Sequence, residues 1–169
     1  MLQTIHRFAM IQTKGWGKMR VLVEKARRRL TLWDGEKRVA QCAVGLGRCP
    51  DGPKRCEGDG CTPEGTYFIC LVKEQGKYGR SLGLSYPGPE DARLALREGR
   101  INEETCQAVL HACRAGRRPP WGSPLGGEIY LHEGGGSRDW TQGCIALDSG
   151  DMDWLFPCWR QIEQVRIVP

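Results

Sequence analysis

The stretch from Leu125 to Leu147, LGGEIYLHEGGGSRDWTQGCIAL, constrains this chain more than any other. Glu128, Ile129, Tyr130 and Leu131 alternate as a half-buried strand does, and the run ends on His132. Gly134, Gly135 and Gly136 follow, so the backbone can turn there through positive φ at little steric cost. Trp140 and Thr141 come next, then a Gly143-Cys144 pair that hands over to the apolar Ile145 and Leu147. A histidine leaving a strand and a cysteine behind a glycine, joined by a permissive loop, can form a thiolate–imidazolium pair, a strong nucleophile at neutral pH. Lone cysteines are commonly small buried hydrophobes, and lone histidines commonly satisfied core or surface residues. Spacing by itself therefore leaves core packing and catalysis both standing.

Taken whole, the string resembles the active-site signature of the L,D-transpeptidase catalytic domain (YkuD-type), an I-x-[IL]-H strand followed by [ST]-x-G-C-I. The matching residues are Ile129, Leu131, His132, Thr141, Gly143, Cys144 and Ile145. Thr62-Pro63-Glu64-Gly65, Leu84-Ser85-Tyr86-Pro87 with Asp91-Ala92, and Leu125-Gly126-Gly127 extend the resemblance over roughly residues 18–169. The Asp-Trp-Thr-x-Gly-Cys-Ile-Ala-Leu form marks a distinct branch. The resemblance implies a mainly β, two-sheet β-sandwich with a helical insertion between roughly 88 and 116.

Composition sets outer limits. At 169 residues the chain is long enough for one domain with a real core. With 40% apolar residues, it has no uninterrupted apolar run near the ~20 residues that span a bilayer, so no integral membrane segment is expected. The net charge of +5 is modest and spread out, densest at Arg27-Arg28-Arg29 and at Arg114, Arg117 and Arg118. Solvated turn and helix-end charges account for these clusters, and no nucleic-acid partner is expected. Attraction to an anionic cell-wall glycopeptide fits the same charge.

In chain order, residues 1–17 lack the apolar core of a signal peptide and read as a leader of unclear role, ahead of a catalytic domain over 18–169. Met19, Val21 and Val23 begin a β meander. Its second strand ends at Asp34-Gly35, a hairpin signal, and Glu36 to Val44 returns as the third. Residues 45–65 read as loop. Thr66–Val72 and Gly79–Tyr86 read as strands, Glu90–Glu98 as a helix, and Asn102 as the cap of a second helix with Cys106, Val109, Leu110 and Cys113 on one stripe. Asp148 or Ser149 can cap a short helix, and Glu163–Val168 closes the chain as a strand. Cys49, Cys56 and Cys61 lie further apart than the close pairs of zinc or iron–sulfur sites, so neither metal nor cofactor is expected. Of nine cysteines, removing Cys144 leaves eight. Cys106 and Cys113 stand about 10 Å apart along a helix, too far to pair. At most two disulfides are expected, drawn from Cys49, Cys56, Cys61 and Cys158.

The resemblance also implies a mechanism. Cys144 attacks a peptide carbonyl to form a thioester, His132 moves the proton, and a backbone carbonyl around Glu133–Gly135 orients the imidazole. The N–H groups of Gly143 and Cys144 are the natural oxyanion donors. Tyr86, Trp140, Thr141, Gly134 and Gly135 are expected around the substrate, with Thr141 able to brace the loop and Trp140 to pack beneath it. Many members carry Arg or Asn two residues after the nucleophile, where this chain has Ala146. The implied substrate is a peptidoglycan stem tetrapeptide cut before its terminal D-alanine, at the cell envelope. An amine acceptor makes the chain an L,D-transpeptidase; water makes it an L,D-carboxypeptidase or amide hydrolase. A wall-binding module with a silent site is the non-enzymatic alternative.

Overall fold

The computed structural model describes residues 17–169. The leader expected over 1–17 thus lies outside the described residues, apart from Gly17. Strands β1 (Met19–Glu24) and β2 (Arg29–Asp34) form because Met19, Val21 and Val23 fall on one face and meet Leu30 and Leu32 across the ladder, Val21 opposite Leu32. The next turn holds Gly35-Glu36, one residue beyond the expected signal, and β3 (Lys37–Ala43) pairs back with Asp34 opposite Lys37.

β4 (Gly65–Tyr67) and β9 (Ile162–Val168) complete a five-stranded sheet in the order β3-β2-β1-β9-β4. Strands β5 (Ile69–Gly76), β6 (Gly79–Leu84), β7 (Tyr130–Glu133) and β8 (Ile145–Leu147) make the second sheet in that order. Both sheets are mixed: β1 runs parallel to β9, and β7 runs parallel to β8. Leu30, Leu32, Val165 and Ile167 from one sheet and Leu82, Leu84, Leu131, Ile145 and Leu147 from the other share one core. Burial of that apolar area holds the sandwich together.

The helical insertion falls where its sequence places it. Helix α1 (Pro89–Arg97) and helix α2 (Glu103–Arg114) pack on each other, and Asn102 Oδ1 accepts the Thr105 N–H at 2.9 Å as the expected cap. Ala92, Ala95, Ile101, Cys106, Val109 and Leu125 form a second, smaller core, with Leu110 and Cys113 against its edge and His111 exposed. After β8, helix α3 (Ser149–Leu155) starts at Asp148, whose carboxylate makes no side-chain cap of its own helix.

Two strands differ instructively from their expected bounds: Thr66–Val72, expected as one strand, is split at Phe68 between β4 and β5, which lie in different sheets. The pattern from Glu128 predicts a strand ending on His132, yet β7 begins at Tyr130 and carries His132 inside it. Glu128 sits at φ 55°, in the left-handed region, and cannot join a ladder. Alternation alone does not reveal such a kink.

The core makes a direct prediction. Leu32 is fully buried and lies on the sheet that does not carry His132. Leu32→Ala should cost about 2–5 kcal/mol of stability through lost burial and a residual cavity. Urea denaturation measures it, and a loss under about 1 kcal/mol would mean that the two sheets do not close over this side chain.

Candidate active site

β7 is an inner strand. His132 faces Ser81 on β6 across one ladder and Ala146 on β8 across the other. Side-chain alternation sends Leu131 into the core and leaves Tyr130 and His132 on the opposite face. Cys144 immediately precedes β8, so the parallel β7–β8 pairing is what brings the thiol alongside the imidazole. His132 and Cys144 line one cavity of about 240 Å³ with Lys73, Gly76, Lys77, Tyr78, Ser81, Glu128 and Tyr130.

Each member of the pair is held by main chain. His132 Nδ1 meets the carbonyl oxygen of Glu133. A carbonyl only accepts, so Nδ1 carries the hydrogen and Nε2 keeps its lone pair. The Glu133 carboxylate is engaged elsewhere, accepting Arg80 N–H at 3.0 Å and Arg80 Nε at 2.8 Å. Tyr78 stacks on the imidazole (ring centroids 4.9 Å apart, planes at 24°), and Trp140 meets it edge-on at 5.7 Å. The Cys144 thiol donates to the Glu128 carbonyl at 3.3 Å. The left-handed turn at Glu128 thus coincides with a carbonyl presented to the sulfur.

Burial pushes the Cys144 thiol up to about 11, partly opposed by a hydrogen bond from the Tyr130 backbone. Burial pushes the His132 imidazole below its ordinary 6.5, partly opposed by the Glu133 carbonyl. Both shifts favour uncharged forms.

The other expected site residues serve mainly to build the turn that carries Cys144. Gly143 sits at φ 127°, and a Cβ there would come 2.6 Å from the Cys61 carbonyl oxygen, so no other residue fits without movement. Its N–H donates to Thr141 Oγ1 at 3.1 Å, and that hydroxyl donates to the Cys144 carbonyl at 2.7 Å. The Gly143 N–H, expected as an oxyanion donor, is thereby occupied. The Cys144 N–H has no acceptor among the described residues. Thr141 is buried and braces the loop rather than facing the cavity.

Trp140 Nε1 donates to the Gly135 carbonyl at 3.1 Å, and the indole packs so close to Gly134 that a Cβ there would lie 3.0 Å from the ring. Gly135 N–H donates to the Leu147 carbonyl at 3.0 Å. None of Gly134, Gly135, Trp140 or Thr141 lines the cavity. Tyr86 is a plain correction: it is 0% exposed, with its hydroxyl donating to the Leu125 carbonyl at 3.0 Å, so it is a core residue and not a substrate contact.

Several residues escaped the sequence reading. Tyr78 lies in a polar hairpin tip with no periodic signal. Asp139 takes Arg28 in a two-pronged ion pair (2.8–3.1 Å) and accepts the Leu46 N–H at 2.9 Å. Asp148, expected only as a helix cap, accepts the Gly136 N–H at 3.0 Å and so anchors the glycine loop. The basic run 27–29 reads as solvated charge, yet Arg28 pairs with Asp139 and Arg29 with Glu24. All nine cysteines are free thiols.

Residues 18–167 match the family model of the L,D-transpeptidase catalytic domain. Among solved structures, the helical cell shape determining protein Pgp2 of Campylobacter jejuni aligns with a TM-score of 0.61 at 21% identity, over 89% of this chain and 47% of that one. Bd1075 of Bdellovibrio bacteriovorus aligns with a TM-score of 0.52 at 18% identity, over 93% and 49%. An L,D-transpeptidase of Xylanimonas cellulosilytica aligns with a TM-score of 0.52 at 10% identity, over 92% and 62%. The chain spans about half the length of the first two, and at these identities the likeness is one of fold. No curated protein matches the sequence.

Titration of the thiol tests the effect of its burial. Alkylation of Cys144 by iodoacetamide, followed by peptide mass, should be slow at pH 7 and rise about tenfold per pH unit, with no plateau until pH approaches about 11. A rate already on its plateau near neutrality would show a resting thiolate instead.

Proposed function

Because the chain belongs to the L,D-transpeptidase catalytic-domain family, we propose that it is a cysteine L,D-transpeptidase acting on peptidoglycan stem peptides through a thioester, at the cell envelope where that polymer lies. The observation that carries this reading is the cavity that His132 and Cys144 share, with His132 Nδ1 tied to the Glu133 carbonyl so that Nε2 is the free base.

The steps follow from that geometry. Cys144 Sγ attacks the carbonyl carbon of the stem-peptide amide while Nε2 takes the thiol proton, so charge appears only as the C–S bond forms. This order suits a pair in which burial disfavours charge on both members. The carbonyl oxygen becomes an oxyanion, and the Cys144 N–H is the amide left to receive it. Collapse expels the amine, which takes the proton back from His132 and leaves a thioester on Cys144. An acceptor amine then attacks the thioester carbon, with His132 again holding its proton, and the thiol is released.

Two cations at the cavity suit an anionic peptide. Lys73 Nζ lies over the Tyr130 ring at 4.8 Å and Lys77 Nζ over Tyr78 at 5.2 Å, and both residues are exposed. Substrate carboxylates would meet them at the rim. Lys73→Gln and Lys77→Gln should raise KM by up to about fivefold each with kcat little changed, the scale of a solvent-screened ion pair. An unchanged KM in the double variant would remove the rim from the account.

The dyad is tested on a defined tetrapeptide muropeptide, with products identified by mass. Cys144→Ala should abolish turnover, and His132→Ala should lower it by at least ~100-fold. Wild-type turnover in Cys144→Ala would overturn the mechanism, and the product masses separate an amine from a water acceptor. A carbapenem should leave a stable acyl adduct on Cys144 in the intact mass. A folded, active protein that takes no adduct would point to a differently shaped cleft, with Ala146 the first residue to examine.

A further inference from the structure

The segment that floors the Gly143-Cys144 turn carries three cysteines outside the dyad, and the backbone sets two of them side by side. Cys49 and Cys61 are partners in an isolated parallel bridge, where the Cys49 N–H donates to the Gly60 carbonyl at 3.1 Å. Residues paired across strands sit about 4.8 Å apart with Cβ atoms on the same side. That spacing falls inside the window of about 4.4–6.8 Å between Cα atoms in which a disulfide closes without backbone movement. Among the described residues, the Cys61 thiol makes only a long hydrogen bond, to the Asp59 carbonyl at 3.6 Å. Cys49 is exposed to an oxidant in solution, while Cys61 is 8% exposed behind it. Cys56, also exposed, is bridged to neither: its N–H donates to Asp59 and its carbonyl accepts from Lys54.

We propose that Cys49 and Cys61 form a disulfide-closing pair, separate from the nucleophile, that locks the floor under the Gly143-Cys144 turn. The oxidant is a small or protein-borne disulfide. The Cys49 thiolate attacks one of its sulfurs and expels the first thiolate, leaving a mixed disulfide. The Cys61 thiolate then attacks the Cys49 sulfur and expels the second. Two protons leave the protein, the Cys49–Cys61 bond forms, and the oxidant is reduced to two thiols. The bond would join both sides of the floor. Arg48, before Cys49, donates its N–H to the Thr141 carbonyl at 3.0 Å; Thr62, after Cys61, accepts the Gly47 N–H at 2.9 Å. The Cys61 carbonyl is the group against which Gly143 packs.

This inference rests on the two positions and not on the chemistry proposed for the dyad, so its test needs no activity. The whole chain carrying Cys144→Ala, which removes the competing thiol, is equilibrated with an excess of glutathione disulfide and trapped with N-ethylmaleimide. It is then digested without reduction and sequenced by tandem mass spectrometry. The expected result is the peptide that begins at Cys49 joined at Cys61, lighter by two hydrogens than the separate thiols. The thermal midpoint should rise by a few degrees over the reduced protein, and that rise should vanish when Cys49→Ser is added. With Cys61→Ser instead, Cys49 should stop at the glutathione mixed disulfide. A link from Cys49 to Cys56, a mixed disulfide as the end product with both cysteines present, or a Cys49–Cys61 bond that leaves the midpoint unmoved would each overturn the proposal.

Discussion

The site depends on the way the segment Gly45–Arg48 is laced to the loop that carries Cys144. Gly45 and Ala146 exchange N–H and carbonyl bonds at 2.9 and 2.8 Å. The Leu46 carbonyl accepts from both Trp140 and Thr141, and Arg48 N–H donates to the Thr141 carbonyl. Leu46 N–H goes to Asp139 and Gly47 N–H to Thr62. A buried polar group without a partner costs about 1–3 kcal/mol, so these bonds resist rearrangement together rather than singly. Two irregular segments distant in sequence thereby become one surface that holds the Cys144 loop in place.

Charge pairs fasten that surface to the sandwich. The side chains of Lys25 and Lys54 are only 3% exposed. Lys25 Nζ binds the Thr62 carbonyl at 3.0 Å and Glu64 at 2.9 Å, and Lys54 Nζ binds Asp59 at 2.8 Å and the Cys56 carbonyl at 3.0 Å. Such pairs add little net stability by comparison with apolar packing, but losing one partner strands a buried charge. Their effect is specificity of position: the chain between β3 and β4, with almost no regular structure, is held where its own Lys54 and Lys25 of the β1–β2 turn are both satisfied.

Burial has a second effect at the dyad. It disfavours charge on both the thiol and the imidazole. Tyr78 and Trp140 enclose the imidazole, and the Glu133 carbonyl selects its tautomer. The thiol and the imidazole line the same cavity.

Individual strands, the helix cap and the His132 and Cys144 string were legible in the sequence because each rests on a local signal, while the two-sheet sandwich and the pairing of His132 with Cys144 came from the family resemblance. Two-residue alternation marks β1 and β2, an Asn cap with a four-residue apolar stripe marks α2, and a strand–glycine–cysteine string marks the candidate site. What one dimension could not show are relations between distant residues. Arg28 and Asp139 stand 111 positions apart, and each reads alone as an ordinary surface charge. Tyr86 looks like a cleft residue in a motif, but its neighbours in space bury it. The Gly143 N–H looks free until folding sets the Thr141 hydroxyl against it. Sequence by itself determined which elements form and which residue types meet at the dyad, because periodicity and turn chemistry act over a few residues. Only the tertiary structure decided which polar groups are occupied, which rings are covered and that burial disfavours charge at the dyad, because burial and hydrogen-bond partners are supplied by parts of the chain that are neighbours in space alone.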